Sequence, residues 1–214
     1  MRRHLLRLIL LGLALSHPAT AAEDRAGYFD YFVLSLSWSP NWCARNPGRD
    51  EERQCAEGSG QGWVLHGLWP QYDRGYPSYC QAAARPPTRA MTAAMADIMG
   101  NPGLAWHQWK KHGSCTGLSA AEYFELSRSA YADIARPVVF RKLSRDIRLP
   151  ASVVEEAFLK ANPDLTPESI TITCKAGHIQ EARTCLSREM TPIPCGADVR
   201  RDCRLEDALF APLR

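Results

Sequence analysis

Hydrophobic and polar positions change period along the chain, and those changes mark out its elements. Residues 29–37 are rich in aromatic and aliphatic types with partial alternation, which predicts a strand ended by Trp38-Ser39-Pro40. The polar, Gly-rich and charged stretch 44–61 reads as a loop, and 63–70 as a second strand. That strand holds one polar side chain, His66, among large apolar ones, and the adjacent Gly67 leaves room for a close approach. A Tyr-rich loop over 71–79 follows.

The period then becomes helical. Pro86-Pro87 opens a helix predicted from Thr88 to about Met99, closed by Gly100-Asn101-Pro102-Gly103. Residues 106–112 form a further helix with Gly113 as its stop. Ser119 with Glu122 is a capping box for a helix through Ala135, stopped by Pro137. Ser152 with Glu155 repeats that signature for a helix ending near Asn162-Pro163. Residues 170–174 and 178–186 alternate as a hairpin around Ala176-Gly177, and the Cys-rich tail is expected to be stapled rather than packed. Without repeats or linkers, the pattern predicts one α+β domain with a central antiparallel sheet and helices packed on it.

The helix around residue 107 sorts its side chains by chemistry. At about 100° per residue, His107, Lys111, Gln108 and His112 fall in an arc of about 140°. Trp106 and Trp109 lie on the other side, as a pair that can anchor the helix in a core. Two imidazoles, an ammonium and an amide thus converge, with His66 available from a strand. Imidazoles titrate near pH ~6.5, so two of them make a natural acid–base pair. A zinc helix needs histidines four apart, whereas His107 and His112 are five apart with a repelling Lys111 between them. No metal site is expected.

Residues 1–22 join a basic start (Arg2, Arg3, Arg7) to an apolar run over 8–15 and the small residues Ala19-Thr20-Ala21-Ala22. That is the pattern of a cleaved signal peptide, too short to span a bilayer. Export to the periplasm or the extracellular medium is the expectation, with no membrane attachment. The segment takes three of the 26 basic residues and none of the 23 acidic ones, so 23 of each remain. A chain with no net charge has no broad basic surface, and any anionic ligand must be held locally. The remaining residues 23–214 suffice for one domain. All eight cysteines lie there, and an even count in an exported chain reads as a disulfide framework whose connectivity counting leaves open. No N-x-Ser/Thr acceptor occurs, which favours a bacterial export route.

Two segments carry a family resemblance. Trp63-Val64-Leu65-His66-Gly67-Leu68-Trp69-Pro70 and His107-Gln108-Trp109-Lys110-Lys111-His112-Gly113-Ser114-Cys115 resemble the two active-site signatures of the ribonuclease T2 family. Leu36-Ser37-Trp38-Ser39-Pro40 resembles its opening strand, and the likeness runs from about residue 29 to Cys203. The resemblance implies a metal-independent, cofactor-free endoribonuclease. It would cleave RNA by attack of the 2′-hydroxyl on the adjacent phosphorus, leaving a 2′,3′-cyclic phosphate. It further implies His112 as general base and His66 as general acid, with His107, Lys111 and Gln108 on the phosphate. The residues alone leave the two histidines equivalent. Pairings Cys43–Cys55, Cys80–Cys115, Cys174–Cys203 and Cys185–Cys195 are also implied. The expected partner is single-stranded RNA, bound by a monomer.

Two positions depart from the family pattern. Gln108 stands where the family usually has Glu; it keeps hydrogen-bonding reach but cannot raise histidine pKa values by ion pairing. Activity with a lowered pH optimum is expected. Gln71 stands where some members have a base-reading acid, and Trp69 with one of Tyr72, Tyr76 or Tyr79 is expected to stack bases, leaving base preference open. Two other readings remain at this point: a non-catalytic binding protein marked by Gln108, and a metal-dependent nuclease, which the absence of a carboxylate in both signatures disfavours.

Overall fold

The computed structural model describes residues 24–48 and 52–214, so the 1–22 signal segment lies outside the described residues. The first strand, β1, spans Tyr31–Trp38, and β2 spans Trp63–Gln71, one residue further than its expected end. Between them Ser39–Arg45 forms a short helix, α1, where the sequence suggested a stop and then loop. Pro40 ends the strand but sits in the first helical turn, where a missing N–H costs nothing. Asn41 then binds across the sheet: its Nδ2 donates to the carbonyls of Ile179 and Leu209, and its Oδ1 accepts from the Ala211 N–H.

The helix expected from Thr88 is two helices, α2 (Arg89–Ala94) and α3 (Ala96–Met99). At the break, Arg128 donates to the Ala94 carbonyl and pairs with Asp97, so a tertiary contact takes up the freed acceptor. Asn101 and Pro102 open the next helix rather than closing the last: α4 spans Pro102–Lys111, with the Asn101 side chain accepting from the Leu104 N–H. The capping box at Ser119 and Glu122 is formed, and α5 spans Ala120–Asp133. The Ser152 box is not formed; α6 (Ala151–Ala161) starts directly after Pro150, which places Ser152 inside the first turn.

The sheet has six strands. β3 spans Ile147–Leu149, β4 Ile170–Lys175, β5 His178–Leu186 and β6 Ala208–Phe210. The strand order is β2-β1-β5-β6-β3, with β4 also paired to β5. Among the described residues, only the short β5–β6 contact is parallel. The hairpin β4–β5 turns at Ala176 and Gly177, both at positive φ, as a tight two-residue turn requires. All four disulfides are those implied by the family resemblance. The tail is packed as well as stapled: Phe210 on β6 is fully buried and stacks on Trp38 with centroids 4.5 Å apart.

One face of the sheet forms the main core, with Trp38, Trp63, Phe140, Phe158 and Phe210 in mutual aromatic contact. The opposite face of β1, β2 and β5 bears a smaller apolar floor of Tyr31, Val33, Cys185, Cys195 and Val199. Two irregularities in register assign residues to that second face. In the β1–β2 pairing, Ser35 faces Gly67 and Leu36 faces Leu65, so His66 is an extra residue. In the β4–β5 pairing, Thr173 faces Glu181 and Cys174 faces Ile179, so Gln180 is extra. Each bulge lets apolar residues on both sides of it stay in the core while re-aiming a polar side chain.

Asn41→Ala removes three buried hydrogen bonds at once and leaves their backbone partners dry. It should destabilise the fold by about 3 kcal/mol, read as a lower urea midpoint with unchanged slope.

Candidate active site

A cleft of about 450 Å³ opens on the second face of the sheet. His66, Trp69 and Gln71 enter it from β2, and His107, Gln108, Lys111 and His112 enter it from α4 and its end. The four polar residues that share an arc of the helix therefore line one wall together. Their tryptophan counterparts divide: Trp109 is buried in the main core, whereas Trp106 is 44% exposed. Trp109 alone anchors the helix, beside Ala105.

The two motifs meet at Gly67. A Cβ there would collide with Gln108 Oε1 and Trp69 Nε1, so only glycine lets α4 lie this close to β2. The contact is a hydrogen bond from Trp69 Nε1 to Gln108 Oε1, 2.7 Å long, which leaves the Gln108 amide donors for the cleft. At the end of α4, the Cys80–Cys115 disulfide ties the segment after β2 to the turn that follows His112.

His112 is the most enclosed of the three histidines, 5% exposed, with its ring stacked on Trp69 at 5.3 Å. Burial, with Lys111, His66 and His107 nearby, pushes its pKa down to about 3. Its Nδ1 is buried with no hydrogen-bond partner. Burial, then Lys111, His66 and Lys110, also lowers His107. His66 sits differently. Its Nδ1 is 2.5 Å from Glu181 Oε1, and Glu181 Oε2 accepts from Arg183 Nε and Nη2 at 2.9 and 2.6 Å. Burial alone would raise Glu181, but its bonds and charge attraction to His66 and Arg183 outweigh that and hold it at about 2. Glu181 is thus ionised, Nδ1–H of His66 donates to it, and Nε2 is the nitrogen left for a ligand.

The other expected contacts sort unevenly. Gln71 lines the cleft but is buried, its Nε2 donating to the Pro70 carbonyl. Of the three tyrosines only Tyr76 reaches the cleft, 49% exposed and with its ring 5.4 Å from Lys111 Nζ. Tyr72 donates instead to Asp24, and Tyr79 lies against Cys80 and Trp106 in a separate hollow. The Trp69 ring is occupied by neighbours: His112 stacks on it, His66 meets it edge-on, and Arg183 lies 5.3 Å from its centroid.

Sequence reading missed the contributions of β5 and the tail. Arg183 reaches the cleft from β5 with Glu181 behind His66 at its edge, and Asp198, Val199 and Arg201 close it from the segment after Cys195. Asp198 accepts from the Gly75 N–H at 2.6 Å, tying the Tyr76 loop to the tail. The available signal was an acid and a base two apart in a strand, on either side of Ala182. Among the described residues, no three of His, Cys, Asp or Glu converge as a metal-holding group, and no helix is long and apolar enough to cross a membrane.

Residues 29–195 match the model of the Ribonuclease T2 family. The chain belongs to the ribonuclease T2 family. A "Ribonuclease" of Aeromonas hydrophila is 42% identical over 123 residues, which cover 56% of this chain and 54% of that protein. A "Probable ribonuclease" of Haemophilus influenzae is 33% identical over 129 residues, 55% of this chain and 47% of that protein. The matched part thus spans about half the length of these curated relatives. Among solved structures, trichomaglin, described as an S-like ribonuclease, superposes with a TM-score of 0.69 at 18% identity, over 87% of this chain and 100% of that one. RNase NT in complex with 5′-AMP gives 0.63 at 17% identity, over 86% and 99%. At these identities the structures establish that the ribonuclease T2 fold is shared.

Titration of His112 should be visible in stability. Its pKa is lower folded than unfolded, so between about pH 6.5 and 3 the unfolded chain binds a proton that the folded one refuses. The His112 contribution is full above that window and is lost as pH falls through it. Urea unfolding at pH 4 and pH 7 should show a smaller difference for His112→Gln than for the parent.

Proposed function

We propose that the protein is an endoribonuclease that cleaves single-stranded RNA by transphosphorylation. The 2′-oxygen attacks the adjacent phosphorus, the P–O5′ bond breaks, and a 2′,3′-cyclic phosphate and a free 5′-hydroxyl result. The observation that carries this reading is the electrostatic inequality of two histidines in one cleft. His112 is buried among cations and neutral, as a base must be before it takes the 2′-hydroxyl proton. His66 bears a buried carboxylate on Nδ1 and presents Nε2, the arrangement of an acid that protonates the leaving 5′-oxygen.

The substrate supplies what His112 lacks. A phosphodiester entering beside Lys111 and His107 brings negative charge next to the ring and favours its protonation during attack. Lys111, His107 and the Gln108 amide then face the extra charge on the pentacoordinate phosphorus, where preorganised donors are most effective. His66 and Glu181 also border a second cavity of about 490 Å³, beside the first. Room on both sides of the scissile phosphate suits internal cleavage of a chain. Tyr76 is assigned the base-stacking contact, because it is the exposed ring and Trp69 is enclosed. Lys111 holds the anion locally, in keeping with a chain of balanced charge outside residues 1–22. The reaction so assigned routes no step through a metal. The four disulfides favour an oxidising compartment, reached with residues 1–22 as signal peptide and 23–214 as the catalytic domain. A monomer suffices, since one chain holds every group named.

A DNA oligonucleotide with a single ribonucleotide, incubated with oxidised protein in excess EDTA, tests this. Cleavage only after the ribonucleotide, with a cyclic phosphate read by mass, is expected, and His66→Ala and His112→Ala should each lose about 10²–10⁴-fold. Tight binding without cleavage would show a binding protein, and EDTA-sensitive cutting of an all-DNA control would show metal chemistry. Gln108→Glu places a carboxylate beside the histidines and favours their charged forms. It should therefore move the pH optimum upward, and an unchanged pH–rate profile would refute that.

A further inference from the structure

A charged pair outside both signature motifs stands behind His66. Glu181 and Arg183 stand two apart on β5, and the Gln180 bulge turns both to the cleft face while Ile179 remains in the core. Glu181 is 1% exposed, and each of its oxygens is taken: Oε1 by His66, Oε2 twice by Arg183. A buried carboxylate is costly and persists only where charged partners surround it. From α1, Arg45 adds attraction, Lys175 on β4 faces the same side, and His107, Lys111 and His112 face His66 from α4. Glu52 borders the His66 cavity from the loop.

We infer that Glu181, clamped by Arg183, is the positioning residue for the general acid, fixing His66 with Nδ1–H bonded and Nε2 directed at the leaving oxygen. In that step the P–O5′ bond breaks, its electron pair goes to O5′, and the Nε2 proton follows. Glu181 stays a carboxylate throughout, because its two bonds from Arg183 make it a poor site for the proton. The inference rests on the proposed transphosphorylation. Within it, the carboxylate function comes from β5, while position 108 holds the neutral Gln108. Glu181 acts on one histidine only: it orients the acid and lies apart from His112, which Trp69 encloses.

The test compares two substrates in one preparation of each variant. One is a dinucleotide, whose 5′-alkoxide leaving group needs a proton. The other is a nucleoside 3′-(4-nitrophenyl phosphate), whose leaving group departs without one. Glu181→Gln should lower kcat on the dinucleotide by about 10²-fold and change the nitrophenyl rate by only a few-fold, with KM little affected. Its pH–rate profile on the dinucleotide should lose the limb due to the acid, and Glu181→Asp should recover part of the rate. The ratio of the two rates does not depend on how much protein is folded. Should Glu181→Gln not fold, Arg183→Met leaves the carboxylate in place but unclamped, and the same selective loss is expected at smaller size. Equal losses on both substrates, or no loss on either, would overturn the inference. Failure of the parent protein to cleave either substrate would instead overturn the proposed function itself.

Discussion

The cleft depends on how closely α4 can approach β2 at Gly67. Any other residue at that position would put a side chain where Gln108 and Trp69 meet, and the helix would be pushed outward. With glycine there, the 2.7 Å bond between the indole and the amide sets the distance between the strand that bears His66 and the helix that bears the other cleft groups. Trp109 and Ala105 hold the back of the helix in the main core, and the Cys80–Cys115 bridge fixes its far end. A helix anchored on three sides holds its polar face still, which is what catalysis by preorganised groups demands.

Two imidazoles that are the same residue become different reagents through their surroundings. His112 leaves the last turn of α4 into a hollow walled by Trp69 and Tyr76, where burial and the nearby Lys111 disfavour its charge. His66 is pushed out of a strand by a bulge and meets a carboxylate that is itself pinned by a guanidinium. One ring is kept neutral by desolvation and like charge; the other has its orientation and Nδ1–H fixed by a hydrogen bond to a carboxylate. The difference arises from the local dielectric and the placement of one carboxylate.

Position 108 illustrates how a site tolerates a change of charge. Glutamine there keeps its carbonyl bond to Trp69, so the geometry of the helix–strand contact survives without the carboxylate. A carboxylate is nevertheless present at the edge of the cleft, delivered from the opposite side by β5. The consequence for the metal-dependent alternative is direct. The carboxylate that the signatures lack is present, but it is fully committed to His66 and Arg183.

The sequence by itself determined the elements with strong local chemistry. It gave the first two strands, the Ser119 cap, the hairpin at Ala176-Gly177, and the arc that brings His107, Gln108, Lys111 and His112 to one side. These follow from the side-chain period and from capping, which act over a few residues. Proline and asparagine signals have two sides: Pro40 follows the end of β1 and also opens α1, and Asn101 follows the end of α3 and caps α4, because the same residues that stop one element open the next. What only the tertiary structure decided depends on contacts between distant segments. β6 and the packing of Phe210 needed Trp38; the cleavage of one expected helix into two involved Arg128; the exposure of Trp106 depended on which face the core took. Above all, the roles of Glu181 and Arg183 were hidden, because a bulge reverses the face of every residue beyond it and alternation cannot register an extra residue. Period specifies which side chains travel together, and register specifies what they meet.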